Sequence, residues 1–329
     1  MIERNGRRCN SPLVSIVTPC YNGASYLDRY FEGLLSQTYE NLELVFVNDG
    51  STDGTERLFR EYESIIETQF DGGVVYIYQE NKGPCAAMNA GYQAASGQYI
   101  APCDSDDVMM PRKVEAHIAA FERNPDCDLV YGKHLICDEA MQPIREMPKW
   151  KNPPSGSEVY EALLIHGMFI VSGSYCFRKE CLQLLPGGKL NESYVAYNLQ
   201  LLLRIGHAGR IAFHPDLTVC IIARENSSSS TVSLNTLAKM TFGAYKIRTD
   251  MIAELGCSQE VRRKAEARYV PKEMLYYFIT QDKKGVRECF RKGLKLRLRH
   301  KRIYLLYLLH LIPWTWNWAI RKRYANYLS

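Results

Sequence analysis

The chain has 329 residues, 46% of them hydrophobic, which suffices for a large buried core and excludes a disordered or fibrous protein. Its 11 cysteines are odd in number and include no C-x-x-C pair, arguing against a disulfide framework or a zinc site and for a reducing cytoplasm. The net charge of +5 is uneven: Lys283 to Ser329 hold 13 Lys/Arg against Glu288 alone, so the tail is basic and the body acidic.

Met1 to Pro12 is polar and basic, so no secretory signal is expected. Leu13 to Thr18 then reads as a buried strand, and Pro19-Cys20-Tyr21-Asn22-Gly23 turns into a helix with Leu27, Phe31, Leu34 and Leu35 on one face. Leu42 to Val47 is a second strand, followed by the turn Asn48 to Thr55 and a second helix. Val74 to Tyr78 makes a third strand, Pro84 to Ala95 a small-residue helix, Tyr99 to Pro102 a fourth strand, and Leu129 to Tyr131 a fifth. Strand alternating with helix at this spacing predicts an α/β fold with a doubly wound, mostly parallel sheet.

The fourth strand ends in Cys103-Asp104-Ser105-Asp106-Asp107, three carboxylates within four residues. Ionised side chains this close repel one another unless water, raised pKa values or a cation intervene. At the C-terminal end of a strand they point into the crevice where open α/β sheets bind ligands. Mg2+ or Mn2+ held there keeps positions for water and phosphate oxygens; a solvated acidic turn capping the helix near Pro111 is the competing reading.

Neighbouring turns offer a ligand other contacts. Asp49, at the tip of the second strand, can accept from a nucleobase N–H or a ribose hydroxyl. Thr18 can face a base edge and Tyr21 can border the base, unless Tyr21 is an ordinary buried aromatic. Asp53 and Thr52 read better as helix caps. Asn89 reaches either a ligand or a local partner, and Lys82 precedes a helix N-terminus favourable to anions, with plain solvent exposure as its alternative. No G-x-x-x-x-G-K-[ST] loop and no G-x-G-x-x-G turn follows the first strand, which counts against ATPase and dehydrogenase functions.

Four segments together carry a family resemblance: V-S-I-V-T-P-C-Y-N (Val14 to Asn22), V-N-D-G-S-T-D-G-T (Val47 to Thr55), N-A-G-Y-x-x-A-S-G-x-Y-I (Asn89 to Ile100) and D-S-D-D-V-M-M-P (Asp104 to Pro111). In order and spacing, from about Ser11 to Tyr131 and more weakly to about Ser230, they resemble the family 2 glycosyltransferases of the GT-A fold. The resemblance implies a nucleotide-diphosphate-sugar donor, UDP-linked in our reading, and an inverting displacement at the anomeric carbon. It places Thr18, Pro19 and Asp49 at the base, Asp106 on the metal, and Asp104 on the ribose or assisting the metal. It also makes Arg224 a candidate for the donor diphosphate, with a surface arginine as the alternative.

One segment departs from the family pattern. Relatives carry E-D-x-D-L-x-L-R, with an aspartate as general base, whereas this chain has Tyr197-Asn198-Leu199-Gln200-Leu201-Leu202-Leu203-Arg204. An amide has no usable basicity, so Asn198 is expected to orient an acceptor hydroxyl rather than deprotonate it. Glu192, His207 and His166 are weak substitute bases. Between Gly132 and Gly173 the chain reads as irregular, and Trp150 there either stacks on a sugar or packs under a loop.

From about residue 231 the chain is expected to be a helical appendage to a domain at 1–230. It ends in an aromatic, apolar run from Ile303 to Ile320 flanked by Arg and Lys, too short to span a bilayer and interrupted by His310 and Pro313. An in-plane or partly inserted anchor on anionic lipid at the inner face of the cell membrane is expected, with packing on the catalytic domain or an oligomer interface as the alternative. The sequence-level expectation is a cytoplasmic, membrane-peripheral transferase acting on a glycan or lipid-linked acceptor. No nucleic-acid recognition motif is present. A sugar-nucleotide-binding protein without transferase activity and a nucleotidyltransferase are the alternatives.

Overall fold

The computed structural model describes residues 11–194, 196–223, 234–298 and 300–311, with backbone only at 234–241. In chain order the elements are β1 (Val14–Cys20), α1 (Leu27–Leu35), β2 (Leu42–Asp49), α2 (Thr55–Gln69), β3 (Val74–Gln79), α3 (Pro84–Ala94), β4 (Tyr99–Pro102), β5 (Val108–Met109), α4 (Lys113–Arg123), β6 (Leu129–Cys137), β7 (Pro143–Met147), α5 (Glu158–His166), β8 (Tyr175–Arg178), α6 (Tyr197–Ala208) and β9 (Ile211–Ile222). Four helices follow: α7 (Leu234–Leu255), α8 (Gln259–Ile279), α9 (Lys283–Lys295) and α10 (Lys301–Leu311).

The described residues fall into two compact units, one within Met1–Tyr160, Met168–Ser193 and Tyr197–Ala223, the other within Glu161–Gly167, Tyr194–Ala196 and Arg224–Ser329. In the first, the sheet order is β3-β2-β1-β4-β8-β6-β9-β5, with β7 paired to β6. The β3-β2-β1-β4 half is wholly parallel, as the alternating pattern predicts. The other half is mixed: β8 runs antiparallel to both β4 and β6, while β6 and β9 are parallel. The segment expected to be irregular contains the β6–β7 hairpin and α5. Its prolines sit at the edge strand and in the loop after it, where no ladder hydrogen bond is lost.

β1 and β2 are buried on both faces, which is why they read as near-continuous apolar runs rather than alternating ones. α1 lays Leu27, Tyr30, Phe31 and Leu34 onto this sheet. Phe31, Phe46, Phe59, Tyr62 and Tyr76 interlock beside them, with ring centroids 4.9 Å apart for Phe46 and Phe59 and 4.6 Å for Phe31 and Tyr62. Each such pair contributes about 0.5–1.5 kcal/mol beyond simple burial.

The A-S-G stretch before β4 serves this core. Buried Glu43 accepts from the Ser96 amide at 2.9 Å, the Ser96 hydroxyl at 2.6 Å and the Ser15 hydroxyl, tying β1, β2 and β4 together at their N-terminal ends. One expectation about cysteine needs amendment. Cys137 on β6 and Cys220 on β9 are joined in a disulfide, 83 residues apart in sequence and adjacent only because β6 and β9 pair; the other described cysteines form no disulfide.

α3 is rich in small residues because it lies very close to β1. A Cβ on Gly91 would sit 2.4 Å from Val17 Cγ1. Gly91→Val is therefore expected to cost about 1–3 kcal/mol by overpacking, read by urea denaturation; a loss below roughly 0.5 kcal/mol, the range of a surface substitution, would contradict the close contact.

Candidate active site

The C-terminal ends of β1, β2 and β4 carry the turns singled out by sequence. The turns after β1 and β2 are sewn together. Asn22 adopts a left-handed φ of 52°; its amide donates to Ser51 Oγ at 2.9 Å and its Oδ1 accepts from the Thr52 amide at 2.8 Å. Asp53 accepts from the Thr55 amide and the Ala24 amide, each at 3.0 Å. Burial alone would raise the Asp53 pKa, but the bonds from Thr55 and Ala24 outweigh it and hold it below the usual carboxylate range. Asp53 thus caps α2 from outside Gly54, the N-cap residue, while Thr52 caps nothing.

Thr18 is buried and its hydroxyl turns inward to share a hydrogen bond with the Tyr30 hydroxyl. The pleat of β1 turns this hydroxyl toward the core. Pro19 is partly exposed at the strand end, and Tyr21 is 49% exposed, which rules out the buried aromatic.

Asp49, only 4% exposed, holds the β3–α3 loop. Its Oδ1 accepts from Gln79 Nε2 at 2.7 Å and the Lys82 amide at 3.0 Å, and its Oδ2 accepts from the Gly83 amide at 2.9 Å. A carboxylate has about four acceptor positions, so one remains for a ligand N–H or hydroxyl. Lys82 contributes its backbone here, and its side chain is exposed. Gly50, at φ +73°, lets this loop close over β2, since a Cβ there would lie 2.6 Å from the Asn81 nitrogen.

At the end of β4, carboxylate oxygens of Asp104, Asp106 and Asp107 lie within 4.8 Å of one another. Asp104 accepts a hydrogen bond from the Tyr197 hydroxyl, which also lies 3.0 Å from Ser172 Oγ. Burial and the Asp106 charge push the Asp104 carboxyl up to about 6, against the opposing pull of Tyr197, Ser172 and Lys113. Lys113, fully buried at the start of α4, has no hydrogen-bond partner for its Nζ among the described residues. Its charge acts on Asp104 and on the Cys103 and Cys176 thiols.

Sequence reasoning missed Tyr197, Ser172 and Lys113. A lysine two residues after a proline reads as surface, and Ser172 and Tyr197 lie far from the cluster in sequence. The one available signal was Tyr197 occupying the Glu position of the E-D-x-D stretch.

At the start of α6, Asn198 is half-buried and its Oδ1 accepts from the Tyr175 hydroxyl at 2.5 Å; its Nδ2 makes no hydrogen bond among the described residues. Gln200 is structural: its Oε1 accepts from the Asn191 amide at 2.8 Å and its Nε2 donates to the Asn191 carbonyl at 3.1 Å. Asn89 does the same for the adjacent loop, donating to the Leu190 carbonyl at 3.0 Å and to Glu192 at 3.1 Å and accepting from the Leu190 amide at 2.8 Å. Both Nδ2 hydrogens and one Oδ1 lone pair of Asn89 are thus spent on the loop, the local partner that the sequence allowed.

The remaining candidates are scattered. His207 packs edge-on to Tyr160 at 5.1 Å, Trp150 edge-on to Phe169 at 4.7 Å, and His166 belongs to the other compact unit. Arg224, the serine run Ser227 to Ser230 and the segment from Pro313 to Ile320 lie outside the described residues.

A parallel sheet that continues through an antiparallel strand and carries acids at the end of its fourth strand is the GT-A architecture, and solved structures agree at the level of fold. S. aureus TarS 1–349 in complex with UDP aligns with a TM-score of 0.54 and 15% identity, covering 90% of this chain and 89% of that one. The mannosyltransferase PcManGT from Pyrobaculum calidifontis in complex with GDP-Man and Mn2+ gives 0.51 and 15%, covering 92% and 88%. The glycosyl transferase family 2 model matches residues 15–184, more than half of the chain, and the chain belongs to that family.

Among curated relatives, an uncharacterized glycosyltransferase of Rickettsia prowazekii is 33% identical over 175 residues, covering 51% of this chain and 52% of the relative. Glycosyltransferase GlyG of Streptococcus pneumoniae is 37% identical over 131 residues, covering 40% and 42%. The chain thus spans about half the length of the first relatives it matches.

The raised Asp104 gives a stability prediction with a definite sign. A carboxyl whose folded pKa of about 6 exceeds its ordinary 3.8 favours the fold below 3.8, and this contribution is lost as pH rises through 6. Asp104→Asn, which keeps an acceptor for Tyr197, should therefore raise the thermal midpoint in chelator at pH 7.5 and leave it unchanged near pH 3.5. Equal effects at both pH values would contradict the burial of this charge.

Proposed function

We propose that the protein transfers a sugar from a nucleotide-diphosphate donor, UDP-linked in our reading, to a glycan or lipid-linked saccharide acceptor with inversion. The observation that carries this reading is the acidic trio at the end of β4, set in a GT-A sheet beside the open position on Asp49.

The donor set fits a divalent cation. Hard carboxylate oxygens suit Mg2+ or Mn2+, and a carboxyl pushed up to about 6 beside two other acids is a site whose charge a cation would neutralise. Asp106 would hold it, with Asp104 assisting. Bound there, such an ion offsets the charge that develops on the leaving nucleoside diphosphate.

The protein's own groups do the rest. Asp49 offers its remaining lone pair to the base, and the Thr18 and Pro19 backbone borders it. Tyr197 and Ser172 fix the Asp104 carboxylate so that little reorganisation is needed when the donor arrives. Asn198, its carbonyl fixed by Tyr175, presents an amide N–H to an acceptor hydroxyl. Orienting that hydroxyl is its contribution, because an amide cannot take the proton.

The α10 helix leaves Tyr304, Leu305, Leu308 and Leu311 at 42–60% exposure beside Lys301 and Arg302, which supports a cytoplasmic enzyme peripheral to an anionic membrane surface. Among the described residues no helix is long and apolar enough to cross a membrane.

Nucleoside diphosphate release from a panel of nucleotide sugars with Mn2+ or Mg2+ tests the reading. Asp106→Asn is expected to cut release about a hundredfold or more, the scale of losing a catalytic electrostatic contact. Asn198→Ala should lower kcat about tenfold or more with donor affinity unchanged, since misplacing one reactant acts on the chemical step. Binding without release under any acceptor would instead favour a non-catalytic sugar-nucleotide-binding protein, which the amides at 198 and 200 allow. Mn2+-dependent UDP affinity should also fall as pH drops below about 6, where a proton competes for Asp104; affinity flat from pH 7.5 to 5 would remove Asp104 from the metal site.

A further inference from the structure

The helical unit gathers four cations that the donor site does not use. Arg248 on α7 is 3% exposed; its Nε donates to the Leu163 carbonyl at 3.0 Å and its Nη1 to the Ala244 carbonyl at 2.8 Å. Arg268 and Lys272 stand one turn apart on α8, and the charged groups acting on Lys272 are Arg268, Arg248 and Arg302, all cations. None of the four forms an ion pair among the described residues. The acids nearby on α8 face elsewhere: Glu266 lies 3.6 Å from Lys292, and Glu273 is engaged with Tyr245 and Lys292.

Two of these cations and a buried hydroxyl converge on one point. A Cβ placed on Gly167, which has a left-handed φ of +92°, would lie 3.5 Å from the Tyr269 hydroxyl and 3.9 Å from a guanidinium nitrogen of both Arg248 and Arg268. Tyr269 is 5% exposed, and its buried hydroxyl has no hydrogen-bond partner among the described residues. Its ring meanwhile lies against Arg248 at 4.9 Å and Lys272 at 5.4 Å.

A buried hydroxyl without a partner is costly, and so are like charges packed without a counter-ion. An anion with several oxygens relieves both, and guanidinium forks match phosphate geometry. The absence of a side chain at Gly167 leaves the space. We infer that this unit holds a second anion site, formed by Arg248, Arg268, Lys272 and the Tyr269 hydroxyl beside Gly167, that takes a terminal phosphate or diphosphate group. The site is independent of the donor site and stands whether or not the transferase reading does.

Calorimetric titration of the full chain in chelator, which silences metal-dependent nucleotide binding, tests this with pyrophosphate and with farnesyl diphosphate in neutral detergent micelles. The wild type should bind at one site. Arg268→Ala/Lys272→Ala should weaken binding about tenfold or more, as expected for loss of charge-assisted hydrogen bonds, and Tyr269→Phe, which keeps the ring, about threefold or more, as expected for loss of one neutral bond. Mn2+-dependent UDP binding should be unchanged in both, and the double variant should melt no lower than wild type in phosphate-free buffer. Pyrophosphate as tight as the prenyl compound marks a soluble ligand, and a much tighter prenyl diphosphate marks a lipid-borne one. No binding of either probe to wild type, or equal binding by wild type and the folded variants, would overturn the inference.

Discussion

Three carboxylates confined to 4.8 Å at the end of a buried strand set the terms for everything around them. Like charges at that distance, half-shielded from water, repel strongly, and at Asp104 the fold answers with hydroxyl donors and a buried cation. Tyr197 donates to Asp104, Ser172 backs Tyr197, and Lys113 places its charge behind the cluster without a hydrogen bond to it. This arrangement steadies Asp104, at the cost of a residual repulsion visible in its raised carboxyl.

The surrounding turns follow a related logic, with most polar side chains already spent on one another. Asp49 fixes the β3–α3 loop with three hydrogen bonds, Asp53 and Asn22 join two turns, and Asn89 and Gln200 pin the loop before α6. Such saturation makes a preorganised crevice. It also explains why several family-motif residues are architectural here: in this chain the motifs encode loop positions as much as ligand contacts.

How much of this was legible in the sequence follows the range of the interactions. The parallel half of the sheet was readable because buried strands and their helices leave local patterns, and the acidic cluster because its members are adjacent. The antiparallel β8, the β6–β7 hairpin and the Cys137–Cys220 pair were not, since each depends on partners tens of residues away. The same holds within the site. Asn89 and Thr18 sit where a ligand contact was expected, but Leu190 and Tyr30 claim their polar atoms. Tyr197 and Lys113 acquire roles only once α6 and α4 are packed, and the cations beside Gly167 join three separate segments that no spacing rule connects.

The central claim is that the carboxylates after β4 hold a divalent ion against the diphosphate of the donor. Pulsed electron–nuclear double resonance on the Mn2+-loaded protein with UDP addresses it directly, because isotropic hyperfine coupling to phosphorus requires a phosphate oxygen on the metal. The account predicts a 31P coupling in the wild type that disappears with Asp106→Asn. Mn2+ bound without phosphorus coupling, or the same coupling retained in Asp106→Asn, would contradict it.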